Sequence, residues 1–315
     1  MSPRAAERIR REAEAMVQLL ITGGRGQLGS EISDVLTLGA AEIGPIPSCY
    51  ADAEATFVDF DDLDITDPGA VEAFFSVGSF DAVINCAAMT DVDACESDPE
   101  SALRVNALGA RNLALAAAAH GAKVVHVSTD YVFSGTGSTP FTEWHLPAPR
   151  SAYGASKLLG ERYVRESCAR SFVVRTAWLY GHHGANFVKT IAKMAAERGE
   201  LKVVDDQRGN PTNANDLAYH LLKILATDEY GIYHCTGLGE CSWYEFACAI
   251  VEEFGVPCSV TSCTTEEFPR PAKRPAYSAL DHLMLRATVG DEMRPWREAL
   301  AAFARTAEIE GVKRA

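Results

Sequence analysis

The chain has 315 residues, of which 47% are hydrophobic and 23% charged, and its formal net charge is −14. This length and composition are typical of a globular protein with one large and one smaller domain. The acidic excess argues against a nucleic-acid or membrane surface, although a local group of cationic side chains could still bind an anionic substrate.

Nine cysteines are scattered along the chain without a CxxC pair or the Cys/His spacing of a zinc site. We therefore predict reduced thiols, a cytoplasmic location and no metal. No apolar run approaches the roughly 20 residues of a membrane span. Residues 1–15 are charged and lack the apolar core of a signal peptide, so we predict that they form an N-terminal extension.

A strand–loop–helix unit follows this extension. Residues 17–22 are a short apolar run that predicts a buried strand, and residues 27–38 predict a helix. In the intervening GGRGQLG, Gly23, Gly26 and Gly29 allow a tight turn, close approach of the backbone to a pyrophosphate, and close helix–strand packing. The spacing is one residue longer than GxGxxG, so the prediction of a dinucleotide site rests on the strand–loop–helix context.

The acidic residue that binds the ribose hydroxyls of NAD is expected at the end of the second strand. The predicted second strand, around residues 43–48, has no such residue, because Glu42 comes too early and Pro45 and Pro47 interrupt the segment. Arg25 could instead contact a 2′-phosphate, which favours NADPH and leaves NADH open. A solvated Arg25 is the equal alternative.

Strands and helices continue to alternate as far as residue 176. Further strands are predicted at residues 56–60, 81–86 and 124–127, and helices at 68–77, from 98 to about 120, and from about 151. This alternation predicts an α/β fold with a Rossmann-type doubly wound parallel sheet. We assign residues 16–175 to an NAD(P)-binding domain. Residues 176–315 are assigned mainly to a smaller α/β substrate-binding domain, with segments returning to the sheet.

The strand around residue 125 and the helix after it carry the most informative side chains. Thr129 and Asp130 follow the strand, and Tyr153 and Lys157 lie four residues apart on one helix face. Because an ammonium group favours a neighbouring phenolate, the pKa of Tyr153 is expected to fall toward the range of an acid/base catalyst. A hydroxyl, a phenol and an ammonium group around one oxygen suit ketone reduction or alcohol oxidation.

Together these motifs resemble the extended, nucleotide-sugar-modifying branch of the short-chain dehydrogenase/reductase superfamily, and within it the dTDP-4-dehydrorhamnose reductase family. The matching segments are GGRGQLG, LDITD, INCAAMTDVDACE, VVHVSTDYVFSG, SAYGASKLLGE, RTAWLYG, VVDDQRGNPT and RPAYSALD. The resemblance implies NAD(P)H-dependent reduction of the C4 ketone of a dTDP-sugar, dTDP-4-dehydro-β-L-rhamnose, for surface polysaccharides. Some relatives hold Mg²⁺ at a dimer contact; a homodimer is therefore open here, but no residues of this chain assign the metal.

The resemblance also assigns roles to individual residues. Tyr153 would protonate the ketone oxygen, Lys157 would hold the nicotinamide ribose, and Thr129 would complete the catalytic set. The predicted cofactor contacts are Gly23, Arg25, Gly26, Gln27, Leu28, Gly29, Asp64, Ile65, Ala87, Ala88, Met89, Thr90, Tyr153 and Lys157. The predicted substrate contacts are Thr129, Asp130, Tyr131, Trp178 and Arg274. The alternatives are a helix cap for Asp64, a core position for Trp178 and a solvated loop for Arg274.

Two other functions stay open. A dehydratase of the same branch carries glutamate after the Thr-Asp pair, where this chain has Tyr131, so dehydration is disfavoured. The functions of another nucleotide-sugar reductase or of an epimerase stay open. A non-catalytic NADP-binding protein, resembling the regulatory subunit of methionine adenosyltransferase, could keep the same threonine, tyrosine and lysine. Trp178 and the basic residues of a late loop, Arg270, Lys273 and Arg274, favour a working reductase.

Overall fold

A computed structural model describes residues 17–312, and the predicted extension at residues 1–15 lies outside them. The central parallel sheet has six strands, which are, in chain order, β1 (Gln18–Thr22), β2 (Glu54–Val58), β3 (Ala82–Asn85), β4 (Lys123–Thr129), β5 (Ser171–Thr176) and β6 (Gly231–His234). Their order across the sheet is β6-β5-β4-β3-β1-β2. The predicted Rossmann-type doubly wound sheet is confirmed, and the strand order reverses between β1 and β3.

Helices cover both faces of this sheet. They also build a second lobe, which consists mainly of residues 187–204, 241–263 and 296–312. Within residues 17–312 they are α1 (Gln27–Leu38), α2 (Pro68–Val77), α3 (Val92–Ser97), α4 (Pro99–Leu103), α5 (Ala110–His120), α6 (Ala152–Ser167), α7 (Phe187–Arg198), α8 (Ala214–Leu225), α9 (Trp243–Glu253), α10 (Leu283–Ala287) and α11 (Trp296–Thr306). A π-helical segment, Arg104–Gly109, joins α4 to α5. None of the helices in this range is long and apolar enough to cross a membrane.

The buried strands explain why the two faces hold separate apolar clusters. Along β1, Leu19 and Ile21 belong to one cluster with α1 and α8, whereas Leu20 belongs to another with α2, α5 and α6. All three side chains are fully buried. Successive side chains of a strand point to opposite faces, so an uninterrupted apolar run requires cover on both sides, which the helices provide.

The chain after β5 builds a third apolar cluster and also returns to the sheet. Helices α7, α9 and α11 pack around Phe246 and Phe303, beside the parallel strands Glu200–Val204 and Ser259–Cys263. In contrast, α8 packs on α1, and β6 pairs with β5 at the edge of the sheet.

The predicted strand around residues 43–48 is wrong. Ala40–Ala41 and Gly44–Pro45 form a small antiparallel hairpin, and Ser48–Tyr50 is a 3₁₀ turn. Proline has no backbone N–H to donate, which keeps this segment out of the sheet ladder. The second strand of the sheet is therefore Glu54–Val58, the strand that the sequence places third.

Candidate active site

A cavity of about 860 Å³ lies along the carboxyl edge of the sheet, over the point where the strand order reverses. Its walls come from the loops after β1 to β5 and from residues of the second lobe. It brings together most of the predicted site residues: Gly23, Gly26, Gln27, Leu28, Gly29, Asp64, Ile65, Ala87, Ala88, Met89, Thr90, Thr129, Asp130, Tyr131, Tyr153, Lys157 and Trp178. Arg25 and Arg274 do not line it.

The glycine loop fits a pyrophosphate. Gly23 has a φ of +68°, and a Cβ on this residue would lie 2.8 Å from the Ala87 nitrogen. A Cβ on Gly29 would lie 2.3 Å from the Gly23 oxygen, so helix α1 and the loop are in direct backbone contact. Gly26 is the N-cap of α1 and offers no side-chain cap, which leaves the first N–H groups of the helix available to an anion.

An acidic residue does end the second strand, contrary to the sequence prediction. Asp59 directly follows β2, lines the cavity and accepts a hydrogen bond from the Arg25 backbone nitrogen at 2.7 Å. The Arg25 guanidinium lies 3.1 Å from Asp61 and 3.5 Å from Asp59. The sequence signal was present, as a β-rich run followed by aspartate, but the wrong strand was counted as second.

Residues that follow Asp59 in the chain also line the cavity. Phe60, which the sequence analysis did not single out, lines the wall although 72% of its surface is exposed. The Asp64 carboxylate accepts hydrogen bonds from the Thr66 nitrogen and hydroxyl. The cap of α2 is Asp67, so Asp64 is not the helix cap that was its alternative.

Tyr153 and Lys157 lie near the start of α6, which Ser151 caps. Lys157 is 3% exposed, and its Nζ donates a hydrogen bond of 2.6 Å to the Val127 carbonyl. Burial lowers the pKa of Lys157 to about 8. The Tyr153 hydroxyl interacts with the side chain of Thr129, the last residue of β4, and Thr129, Tyr153 and Lys157 all line the same cavity.

The expected fall in the pKa of Tyr153 is wrong for the protein without a cofactor. Burial of the phenol raises the pKa of Tyr153 above its ordinary value, and the nearby Asp130 carboxylate raises it further. The hydrogen bond with Thr129 acts in the opposite direction but is the smaller effect. Lys157 donates a hydrogen bond to the Val127 carbonyl and is not among the groups that shift the pKa of Tyr153. At neutral pH the Tyr153 hydroxyl therefore carries its proton.

Asp130 and Tyr131 lie next to Thr129 and Tyr153. Thr129 donates a hydrogen bond of 3.0 Å to Asp130, whose side chain is 2% exposed. Burial raises the pKa of Asp130 to about 6. The Tyr131 ring lies edge-on against the Tyr153 ring, with centroids 5.5 Å apart.

A buried ion pair holds the two catalytic elements together. Arg175 of β5 donates two hydrogen bonds to Glu161 of α6, at 2.8 and 2.7 Å, and Ser128 donates a third at 2.6 Å. Desolvation of such a pair is costly, and the bidentate geometry offsets this cost. Ser128 precedes Thr129 in β4, and Glu161 lies one turn after Lys157 in α6. The Ser128 hydrogen bond therefore fixes β4 against α6, and the ion pair fixes β5 against the same helix. Sequence reasoning missed it, because no local pattern links these positions.

The last two predicted substrate residues differ in their surroundings. Trp178 lines the cavity, half-buried, and its ring stacks on Trp243 at a centroid distance of 3.5 Å. Arg274 is bound by the Asp93 carboxylate, with its two Nη atoms at 3.1 and 3.0 Å, outside the cavity wall. In the described part of the chain, no group of three or more His, Cys, Asp or Glu side chains could hold a metal ion.

The chain is similar to known proteins in both sequence and structure. The model of the RmlD substrate binding domain family matches residues 17–309. The spore coat polysaccharide biosynthesis protein SpsK of Bacillus subtilis is 41% identical, over 91% of this chain and 97% of that protein. A crystal structure of a dTDP-4-dehydrorhamnose reductase from Clostridium acetobutylicum, an RfbD orthologue, is 47% identical and has a TM-score of 0.87, covering 92% of this chain and 99% of that one. The dTDP-4-dehydrorhamnose reductase of Bacillus anthracis, solved in complex with NADP, is 40% identical with a TM-score of 0.85 and the same coverage.

Proposed function

The chain belongs to the RmlD substrate binding domain family, and from this we propose that it is a dTDP-4-dehydrorhamnose reductase. It reduces the C4 ketone of dTDP-4-dehydro-β-L-rhamnose to the alcohol of dTDP-β-L-rhamnose. The observation that carries this proposal is the meeting of Thr129, Tyr153 and Lys157 in a cavity that also holds a glycine loop at an uncapped helix N-terminus. The names of the two similar solved structures support it.

NADPH is the proposed cofactor, and when bound it supplies the hydride. Residues 16–175 would hold it, with the pyrophosphate on the N-terminus of α1 and the segment Ala87 to Thr90 along its length. Asp59 would face the adenosine ribose, and Asp64 and Ile65 the adenine. The exposed Arg25 guanidinium, next to the cavity residue Asp59, would meet a 2′-phosphate, in competition with Asp59 and Asp61.

Tyr153 is the proposed proton donor. As negative charge develops on the ketone oxygen, the phenol donates its proton to that oxygen. The Thr129 hydroxyl, which donates to Asp130 in the structure, would turn its proton toward the same oxygen and stabilise it by a hydrogen bond. The raised pKa of Tyr153 serves this direction of reaction, because it keeps the phenol protonated until a much stronger base, the alkoxide, forms. Below a pH of about 8 the buried Lys157 adds positive charge to the site.

The second lobe would hold the sugar nucleotide. Trp178 and Tyr131 lie in the cavity beside the catalytic residues, where the ketone must approach Tyr153. Arg274, oriented by Asp93, would bind the diphosphate from outside the present cavity wall once the ligand draws the loop inward. We further propose that the protein works in the cytoplasm as a homodimer.

An assay separates this function from its rivals. The full chain would be mixed with enzymatically made dTDP-4-dehydrorhamnose and either NADPH or NADH, and the loss of reduced-cofactor absorbance followed. Substrate-dependent oxidation of NADPH is expected, and Tyr153→Phe provides the matched inactive control. No absorbance loss at high protein concentration, together with tight cofactor binding, would favour the regulatory-subunit alternative.

A further inference from the structure

Trp178 has an unusual backbone conformation. Its φ is +46°, and it is the only residue other than glycine with a positive φ among residues 17–312. For a bulky side chain this left-handed conformation is strained and persists only where the surroundings impose it. Trp178 lies just after β5, where the chain leaves the sheet for the second lobe, and it lines the cavity.

One face of the Trp178 indole is covered by Trp243, the first residue of α9. The two ring planes differ by 8° and their centroids are 3.5 Å apart, so the rings overlap almost completely. Phe187 supports Trp243 from behind, at a centroid distance of 4.4 Å. This face of Trp178 is therefore closed to a ligand.

Gly209, the glycine of the DQRGNPT motif, covers the other face. A Cβ on Gly209 would lie 2.7 Å from Cε2 of Trp178, 2.8 Å from Nε1 and 3.0 Å from Cζ2. Cε2 lies between Nε1 and Cζ2 in the indole, so an in-plane approach would bring at least one of these two atoms closer to the added Cβ than Cε2 is. Because Cε2 is the nearest of the three atoms, Gly209 approaches over the ring plane. Since Trp243 occupies the first face, Gly209 must lie over the second.

We propose that Trp243 and Gly209 are positioning residues that clamp the Trp178 indole, so that the sugar of a nucleotide sugar meets the ring edge and not a ring face. The identity of the ligand rests on the proposed function. The edge of an indole carries one N–H donor, which suits a sugar hydroxyl or carbonyl oxygen. A free indole face would instead stack on any planar or apolar surface, with no preference for a particular oxygen.

Gly209→Ala is the sharpest test, because Gly209 does not line the cavity and can reach a ligand only through Trp178. Calorimetry would measure the Kd of dTDP-β-L-rhamnose, of dTDP alone and of NADPH. We expect the variant to bind dTDP-β-L-rhamnose at least ten-fold more weakly, with the other two Kd values within two-fold of wild type. Gly137→Ala is the matched control, since a Cβ there meets Phe141 at an ordinary 3.6 Å.

A second readout reports the clamp itself. Two indoles stacked at this distance give an exciton couplet in circular dichroism, which Gly209→Ala should weaken and Gly137→Ala should preserve. In a Trp178→Phe background, the smaller ring should make the added methyl group harmless to binding. If Gly209→Ala does not fold, Trp243→Leu is measured instead, both alone and in the Trp178→Phe background.

The outcomes are distinguishable. Wild-type protein that does not bind dTDP-β-L-rhamnose would overturn the proposed function. Normal wild-type binding combined with an unchanged Kd for the sugar nucleotide in Gly209→Ala, or with equal losses for dTDP and its rhamnoside, would overturn the clamp alone.

Discussion

The buried Lys157 provides a prediction that needs no substrate. Its pKa of about 8 in the folded protein lies below its ordinary value of 10.5, so the unfolded chain binds the proton more tightly. Burial of Lys157 therefore destabilises the fold below pH 8, and stability rises as the pH increases from 8 toward 10.5. The site keeps a charge at neutral pH at the expense of stability.

The size of this effect follows from the two pKa values. At 1.36 kcal/mol per pKa unit, the destabilisation shrinks by about 2.5 kcal/mol between pH 7 and pH 10. Lys157→Met keeps most of the apolar stem and removes the titration. We expect the free energy of unfolding of this variant, relative to wild type, to fall by that amount over the same pH range.

Urea unfolding of wild type and Lys157→Met at pH 7, 8.5 and 10 measures the difference, in which the titration of all other groups cancels. Lys193→Met, at an exposed position of α7, controls for the loss of any lysine. A Lys157→Met difference that stays constant to within about 0.5 kcal/mol across the range would refute the depressed pKa of Lys157.

Three further predictions concern the reaction and its surroundings. Tyr153→Phe should retain the wild-type Kd for NADPH while kcat falls roughly 10²-fold or more, as for lost acid catalysis; a near-normal kcat would place the acid elsewhere. Arg25→Ala should lower the ratio of kcat/KM for NADPH to that for NADH by about ten-fold, the order of one charge-assisted hydrogen bond, and an unchanged ratio would exclude Arg25 from the 2′-phosphate site. Because burial raises the pKa of Asp130 from 3.8 to about 6, its charge destabilises the fold above that range; Asp130→Asn should be more stable than wild type at pH 7, and urea unfolding should show this gain shrinking at pH 5.

The sheet was predictable because its information is local. The apolar run of β1, the glycines after it and the helical period of α1 lie within about twenty consecutive residues. The same holds for Tyr153 and Lys157, which helical geometry places on one face. A strand was predicted at residues 43–48 although two prolines interrupt that segment, so the count of strands shifted and Asp59 was overlooked.

The groups that fix the catalytic residues were not predictable, because they join distant parts of the chain. Glu161 meets Arg175 only once α6 has packed on the sheet. Trp178 meets Trp243 only once the second lobe has folded against the cavity. The pKa of Tyr153 was misjudged for the same reason. The sequence shows the neighbours of the phenol along a helix, but not its burial or the carbonyl that accepts the hydrogen bond of Lys157.

The central claim is hydride transfer to C4 of the sugar, and isotopic labelling tests it most directly. The full chain would be incubated with dTDP-4-dehydro-β-L-rhamnose and NADPH deuterated at the transferring position, and the product examined by mass spectrometry and proton NMR. The account predicts one deuterium, located at C4 of dTDP-β-L-rhamnose, and essentially none with Tyr153→Phe over the same time. Recovery of unreacted substrate without deuterium, or a product that carries the deuterium at another carbon, would contradict it.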